Sequence, residues 1–138
     1  MRAEVHGAAL ELDESYLDAD PETVRERVRE YERGDRTAFD VEVAYPDTFT
    51  GRVMRAMSEI PYGETRTYGE LAAELDTSPV AVGQACGRNP VPLVVPCHRV
   101  VGAGGRLVGF SAEGGVELKR RLLDGEAANR QTKLATFE

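Results

Sequence analysis

A thiol followed directly by an imidazole, Cys97-His98, stands inside the run Asn89-Pro90-Val91-Pro92-Leu93-Val94-Val95-Pro96-Cys97-His98-Arg99-Val100. A thiol becomes a strong nucleophile only as thiolate, which needs a base or a positive charge nearby. A neutral imidazole can take the thiol proton directly or through a water. That imidazole in turn needs a carboxylate to orient it, as in other nucleophile–base–acid relays, and Glu126 is the leading candidate. Pro90, Pro92 and Pro96 stiffen the backbone around Cys97, and a pre-organised backbone is what presents a nucleophile to a ligand. Cys86 lies beside Ala85 in a short helical stretch and fits a small buried hydrophobe. A lone Cys-His pair is more often structural than reactive, so these residues alone define a candidate thiol nucleophile and nothing narrower.

The composition limits the other chemistries. Two cysteines outside any CxxC pair do not make a disulfide framework, and two histidines, His6 and His98, do not make a four-ligand zinc cluster. No metal and no cofactor is expected. No apolar run approaches the ~20 residues of a membrane-spanning helix. The segment Met1-Arg2-Ala3-Glu4-Val5-His6 has no apolar core of the secretory type, so a cytoplasmic location is expected. The net charge of −7 is unevenly spread: residues 1–47 carry 14 acidic and 6 basic side chains, residues 48–126 carry 9 of each. Among the 17 basic residues only Lys119 and Lys133 are lysines. An acidic, arginine-over-lysine composition is that of a protein kept soluble in a salt-rich, halophilic cytoplasm, and it speaks to solubility rather than fold. In such salt, phosphate contacts would be weak, and nucleic acid would have to be held by groove packing and insertion.

The elements that must position the thiol follow from local pattern. Residues 4–12 alternate weakly, as an edge strand does. Asp20-Pro21-Glu22 caps a helix that runs to about Arg33, with Val24, Val28 and Tyr31 on one face and Gly34 as its stop. Residues 39–43 alternate cleanly and predict a half-buried strand. Phe49, Val53, Met57 and Ile60 recur at helical spacing over 48–60. Thr67-Tyr68-Gly69-Glu70 is a capping box that opens a helix to Leu75, and Ser78-Pro79 opens a second to about Gly87. Two short helices across a tight turn resemble a helix-turn-helix, although such pairs also occur as plain packing units. Leu93-Val94-Val95 is a buried strand or turn. Residues 100–109 predict two short strands around a glycine turn, a small wing. Val116, Leu118, Leu122 and Leu123 mark a final helix ending near Asp124-Gly125-Glu126, with a polar, frayed tail beyond. The expected fold is α+β. An abbreviated acidic strand–helix–strand segment over 1–47 precedes the chemistry-bearing domain over 48–126, and the tail covers 127–138.

The Pro96-Cys97-His98-Arg99-Val100 run, preceded by Arg88-Asn89-Pro90-Val91-Pro92, resembles the signature of O6-alkylguanine-DNA alkyltransferases. The resemblance covers nearly all of residues 48–126. It includes Phe49-Thr50, Tyr62-Gly63-Glu64-Thr65, Thr67-Tyr68-Gly69-Glu70-Leu71-Ala72, Ala81-Val82-Gly83 and Lys119-Arg120-Arg121-Leu122-Leu123. It implies a winged helix-turn-helix domain that binds duplex DNA in the minor groove as a monomer, flips out an O6-alkylguanine and takes its alkyl group irreversibly. In that scheme Cys97 is the acceptor, His98 the base and Glu126 its orienting carboxylate. Asn89 braces the turn between the helix pair and the cysteine loop, and the Tyr68 hydroxyl donates to the flipped guanine's ring nitrogen. The implied DNA- and base-contacting residues are Val80, Ala81, Gly83, Gln84, Ala85 and Arg88, with Val100, Phe110 and Ser111 at the pocket. Flipping is a physical necessity, because a stacked base cannot bring its O6 alkyl carbon to a side-chain sulfur.

Three features depart from the family pattern. Val80 stands where an arginine usually enters the duplex; valine can act as an apolar wedge but cannot hydrogen-bond the orphaned cytosine. The connection Phe110-Ser111-Ala112-Glu113-Gly114-Gly115 is longer by about two residues. The N-terminal segment is shorter than many relatives have. Several residues are read as bland: Tyr31 as packed, His6 as a surface or half-buried side chain, residues 22–32 as a solvated acidic face. Arg99 is open between DNA phosphate and a buried carboxylate, with structural support favoured by its apolar neighbours. Two competing functions are an alkylguanine-binding reader that recruits other repair factors, and a cysteine hydrolase using Cys97 and His98.

Overall fold

A computed structural model describes residues 1–108 and 115–136, the last six of these as helical backbone. The N-terminal layer opens with β1 (Arg2–Val5) and β2 (Ala8–Glu11), paired antiparallel with Arg2 opposite Glu11 and Val5 opposite Ala8. The single edge strand expected over residues 4–12 is therefore a hairpin. Its two-residue turn is His6-Gly7, with φ of 49° and 80°. Two successive positive φ values match the twist of a tight hairpin, and glycine takes the second without strain. Helix α1 (Pro21–Glu32) starts as expected: the Asp20 side chain accepts from Thr23 N, and Val24, Val28 and Tyr31 are buried. It packs on the hairpin and stops at Gly34, at φ 81°.

Residues 39–43 form no ladder, against expectation. Asp40 turns to φ 52°, and the first two backbone carbonyls of this stretch are taken by a guanidinium group. Arg27 donates to Phe39 O and Asp40 O, and Arg36 to Ala38 O. One isolated antiparallel bridge, Leu17 to Val43, remains. The alternation correctly marks burial of Phe39, but side chains satisfy the carbonyls before a strand can.

Helix α2 (Phe49–Ser58) is capped by Thr48 and carries Val53, Met54 and Met57 fully into the core. Helix α3 (Tyr68–Glu74) has the expected capping box: Glu70 N donates to Thr67 Oγ1 at 3.0 Å, Thr67 N to Glu70 Oε1 at 2.9 Å. Helix α4 (Pro79–Gly87) starts from a Ser78 cap and packs on α2 and α3, giving the helix-turn-helix. Strand β3 (Arg66–Thr67) pairs in parallel with β4 (Val100–Val101), so the first residue of α3, Tyr68, is fixed beside the cysteine loop. The wing expected over 100–109 is reduced: β4 pairs with β3 rather than with a following strand. A tight helical turn at Ala103–Gly105 closes the loop through Gly102 N to Arg106 O at 2.7 Å.

Helix α5 spans Gly115–Thr136, so it does not end near Glu126 and the tail is helical to 136. Gly125 weakens it by about 1 kcal/mol against alanine. Contacts one turn further on outweigh this: Asn129 donates to Tyr62 OH at 3.0 Å, and Arg130 to Gly63 O at 3.4 Å. Glu126 thus lies within a continuous helix anchored on both sides. Phe110 and Ser111 lie outside the described residues.

Among the glycines described, the tightest constraint is at Gly51, where an added Cβ would lie 1.8 Å from Pro46 O. Backbone must move to relieve it. Gly51→Ala should cost about 1–3 kcal/mol and lower the unfolding midpoint by roughly 5–10 °C, measured by thermal denaturation. An unchanged midpoint would mean that residues 46–51 pack otherwise.

Candidate active site

The cysteine loop is built by short-range bonds that the prolines leave room for. Asn89 Nδ2 donates to Val95 O at 2.9 Å, and Asn89 Oδ1 accepts from Val91 N at 3.1 Å. Val95 N returns to Val91 O, closing a turn in which buried Leu93 is held at φ 77°. That conformation is strained for a branched residue and persists only where its surroundings enforce it. Asn89 therefore sits where the sequence places it, bracing the link from α4 to Cys97. Cys97, His98 and Arg99 then form a single helical turn, all three buried.

His98 is fully buried, and its Nε2 lies 2.7 Å from Glu126 Oε2. Glu126 also accepts from Arg99 Nε at 2.9 Å, Arg99 Nη2 at 3.0 Å, Gly63 N at 3.2 Å and Tyr31 OH at 2.6 Å. Burial opposes the carboxylate's charge, yet His98 and Arg99 outweigh it and hold the group at about 2. An anionic acceptor at Nε2 fixes the tautomer: Nε2 carries the proton and Nδ1 keeps its lone pair. Nδ1 is buried and has no hydrogen-bond partner among the described residues. Burial lowers the imidazole's basicity against the pull of Glu126, with Arg99 and Lys119 reinforcing the effect. The neutral ring is thus a base with one free nitrogen.

Burial pushes the Cys97 thiol up, against weaker pulls from the Asn89 side chain, the Lys119 charge and nearby backbone. The resting group is a thiol, and a base must remove its proton before it can attack. Cys86 is also raised, to about 12, by burial first and then by Cys97; its sulfur contacts Met57 Sδ at 3.5 Å, as an inert core residue would.

Tyr68 stands at the rim. Its hydroxyl donates to Val108 O at 3.0 Å and accepts from Lys119 Nζ at 3.3 Å. Burial first, then the negative charge that the two neighbouring sulfurs would carry when ionised, push the phenol to about 12, so it remains a hydrogen-bond donor. Beside it lies an apolar cavity of about 440 Å³ lined by Tyr68, Pro79, Val80, Gly83, Gln84 and Val108. Ligand pockets are commonly of this size.

The helix α4 residues divide by face. Val80 is 69% exposed, Gln84 is exposed, and Ala81 and Gly83 are half-buried; Arg88, just after the helix, is exposed. Ala85 is fully buried and cannot meet a groove edge, which corrects its expected place among DNA-contacting residues. Val100 is buried and its N–H is already given to Cys97 O, so only its carbonyl is left for a base.

Sequence reasoning left one group around the relay open and missed two. Arg99 resolves to the buried-carboxylate role. Tyr31, read as packed, is packed and also bonded to Glu126. Lys119 is buried between Tyr68 and Val108 O. A signal for it existed: it is one of two lysines among 17 basic residues, and it lies two helical turns before Glu126 on the same face.

The relay sets the acid stability. His98 is held neutral below its ordinary 6.5, and Glu126 is held at about 2 against an ordinary 4.5. Both depressed groups bind fewer protons folded than unfolded, so both contributions are lost as pH falls. Stability should decline first below about pH 6.5, then further between 4.5 and 2, in urea titrations across pH. His98→Gln should abolish the upper part and shrink the lower part, because His98 also helps hold Glu126 down. A rise in stability on acidification from neutral pH would mean that His98 is charged in the folded protein.

The model of the 6-O-methylguanine DNA methyltransferase DNA-binding domain matches residues 48–128. The methylated-DNA–protein-cysteine methyltransferase of Mycobacterium tuberculosis is 43% identical over 116 residues, covering 82% of this chain and 69% of the relative. That of Archaeoglobus fulgidus is 46% identical over 117 residues, covering 79% and 76%. A crystal structure of Mycobacterium tuberculosis OGT in complex with DNA superposes with a TM-score of 0.72 at 43% identity, covering 78% of this chain and 68% of that one. The matched segment holds the cysteine loop, the helix pair and the carboxylate that receives the imidazole, and the chain belongs to the methylated-DNA–protein-cysteine methyltransferase family.

Proposed function

We propose that this protein repairs DNA by transferring the alkyl group of an O6-alkylguanine to Cys97, irreversibly and once per molecule. The observation that carries the reading is His98: buried, held through Nε2 by an anionic carboxylate, with Nδ1 unpartnered among the described residues. In the transfer, Nδ1 takes the Cys97 proton, directly or through a water. The sulfur then attacks the alkyl carbon, the carbon–O6 bond breaks, and guanine leaves as its anion. The Tyr68 hydroxyl, exchanging Val108 O for the base, donates a hydrogen bond to a ring nitrogen and eases departure of that anion, with Lys119 supporting the hydroxyl. The released guanine anion takes its proton from water, and His98 returns the sulfur's proton to water, so the protons balance. The thioether has no easy reverse path, so the protein is consumed.

DNA is engaged through α4. Exposed Val80 enters the duplex as an apolar wedge, and Ala81, Gly83 and Gln84 face the minor groove of a DNA bound by one protein monomer. At Gly83 an added Cβ would meet no protein atom within 4 Å. The fold does not demand glycine there, which favours an outside surface needing close approach. A reader role has no support, since the cysteine is present and the relatives are named for transfer to it.

Incubation with O6-methylguanine duplex should add one methylene mass to the Cys97 peptide in a 1:1 end point, read by mass spectrometry. Cys97→Ala should lose the gain and keep lesion binding; label on another residue, or repeated turnover, would refute the assignment. Val80→Arg should accelerate repair of duplex DNA about fivefold by adding a hydrogen bond to the orphaned base, without changing reaction with free O6-benzylguanine. Equal acceleration of both would exclude Val80 from flipping.

A further inference from the structure

Tyr31 belongs to α1 in the N-terminal layer, 95 residues from Glu126, yet its hydroxyl donates to Glu126 Oε2 at 2.6 Å. The same oxygen accepts from His98 Nε2 at 2.7 Å and Arg99 Nη2 at 3.0 Å. The phenol ring has no freedom to leave. It stacks on Phe39 with centroids 5.3 Å apart and meets Tyr62 edge-on at 6.2 Å. Packing alone would be served equally by phenylalanine; the hydroxyl is spent wholly on the carboxylate.

Donors that share one carboxylate oxygen divide its electron density, so each weakens the hold of the others. We propose that Tyr31 is a positioning residue of the relay, whose hydroxyl fixes Glu126 Oε2 and tempers that oxygen's pull on His98, keeping the imidazole neutral and able to take the Cys97 proton. The inference rests on the reading of His98 as the base. It also gives the N-terminal layer a part in reactivity, since α1 supplies the group.

The charged and titratable groups around the imidazole and its carboxylate fix the sign. Helix α5 presents Glu126 and Lys119; the cysteine turn presents Cys97 and Arg99; α1 presents Tyr31; the loop after α2 presents Tyr62. The buried face of α2 is Val53, Met54, Ala56 and Met57. Lys119 and Arg99 act with burial to keep His98 neutral, and Glu126 alone acts against them. Burial and the Glu126 charge keep the Tyr31 phenol protonated far above its ordinary range, so it donates at every working pH. Without the hydroxyl, Glu126 Oε2 turns more fully to His98, the ring holds its proton to higher pH, and the base becomes available later.

The test is the pH dependence of single-turnover alkylation of Cys97 by free O6-benzylguanine, which needs no DNA. Tyr31→Phe should move the acid limb of the profile upward by about 0.5–1 pH unit, a loss of up to about tenfold in rate on that limb, with the plateau little changed. A uniform drop at all pH values, or an unmoved limb, would overturn the inference and leave Tyr31 a packing residue. Should Tyr31→Phe not fold, 3-fluorotyrosine at position 31, a stronger donor, must move the limb downward; an unmoved or raised limb overturns the proposal equally. His98→Gln separates this failure from that of the wider reading. If the acid limb survives unchanged in His98→Gln, His98 is not the titrating base and the relay itself is wrong. If the limb vanishes there but ignores Tyr31→Phe, the inference about Tyr31 alone fails.

Discussion

A carboxylate removed from water loses several kcal/mol of hydration unless donors replace it. Glu126 is buried, and its four donor residues come from three separate stretches: Tyr31 in α1, Gly63 after α2, and His98 and Arg99 in the cysteine turn, all converging on α5. This one anion therefore ties the N-terminal layer, the helix-turn-helix domain and the last helix together. Because its demand for donors is large, each of those elements has little freedom to shift. Arg99 neutralises the charge and also reaches Ile60 O at 2.9 Å, closing the end of α2 onto the same point. The price of burying the carboxylate is repaid in the fixed orientation of one imidazole.

That orientation accounts for a nucleophile kept quiet until needed. The thiol is sealed to 6% exposure and protonated, so it is sheltered from stray electrophiles and oxidants. Chemistry waits for a ligand placed at the rim, where the Tyr68 hydroxyl, Lys119 and the apolar cavity meet. The proposed transfer needs no external base, since His98 is buried in the same turn as the thiol. For a protein spent after one event, low idle reactivity matters more than rapid turnover.

The placement of α4 against DNA, as proposed, fits the unusual charge balance. Helix α4 carries no charged residue, and its exposed large hydrophobic side chain is Val80. Affinity built on phosphate contacts falls steeply with salt, whereas groove packing and an apolar wedge do not depend on counterion release. The acidic excess lies in the first 47 residues, away from the sequence of α4, so under the proposed reading solubility and DNA binding fall to different parts of the chain.

What the sequence determined by itself was local. The Asp20, Thr48, Thr67 and Ser78 caps, the helical spacing of α1 and α2, and the Pro-framed cysteine turn are each set by neighbours within a few residues, where propensity and period speak directly. The motif around Cys97 also carried the chemistry, because nucleophile and base are adjacent. Tertiary structure decided what depends on distant partners. Residues 39–43 had the period of a strand, but Arg27 took the carbonyls of Phe39 and Asp40. Helix α5 passed its apparent stop at Gly125 because Tyr62 and Gly63 hold its next turn. Tyr31 had the spacing of a core residue, and only the folded chain brings its hydroxyl to a carboxylate 95 positions away. Periodicity reports which face is buried; which buried polar atom finds which partner is fixed only when the elements pack.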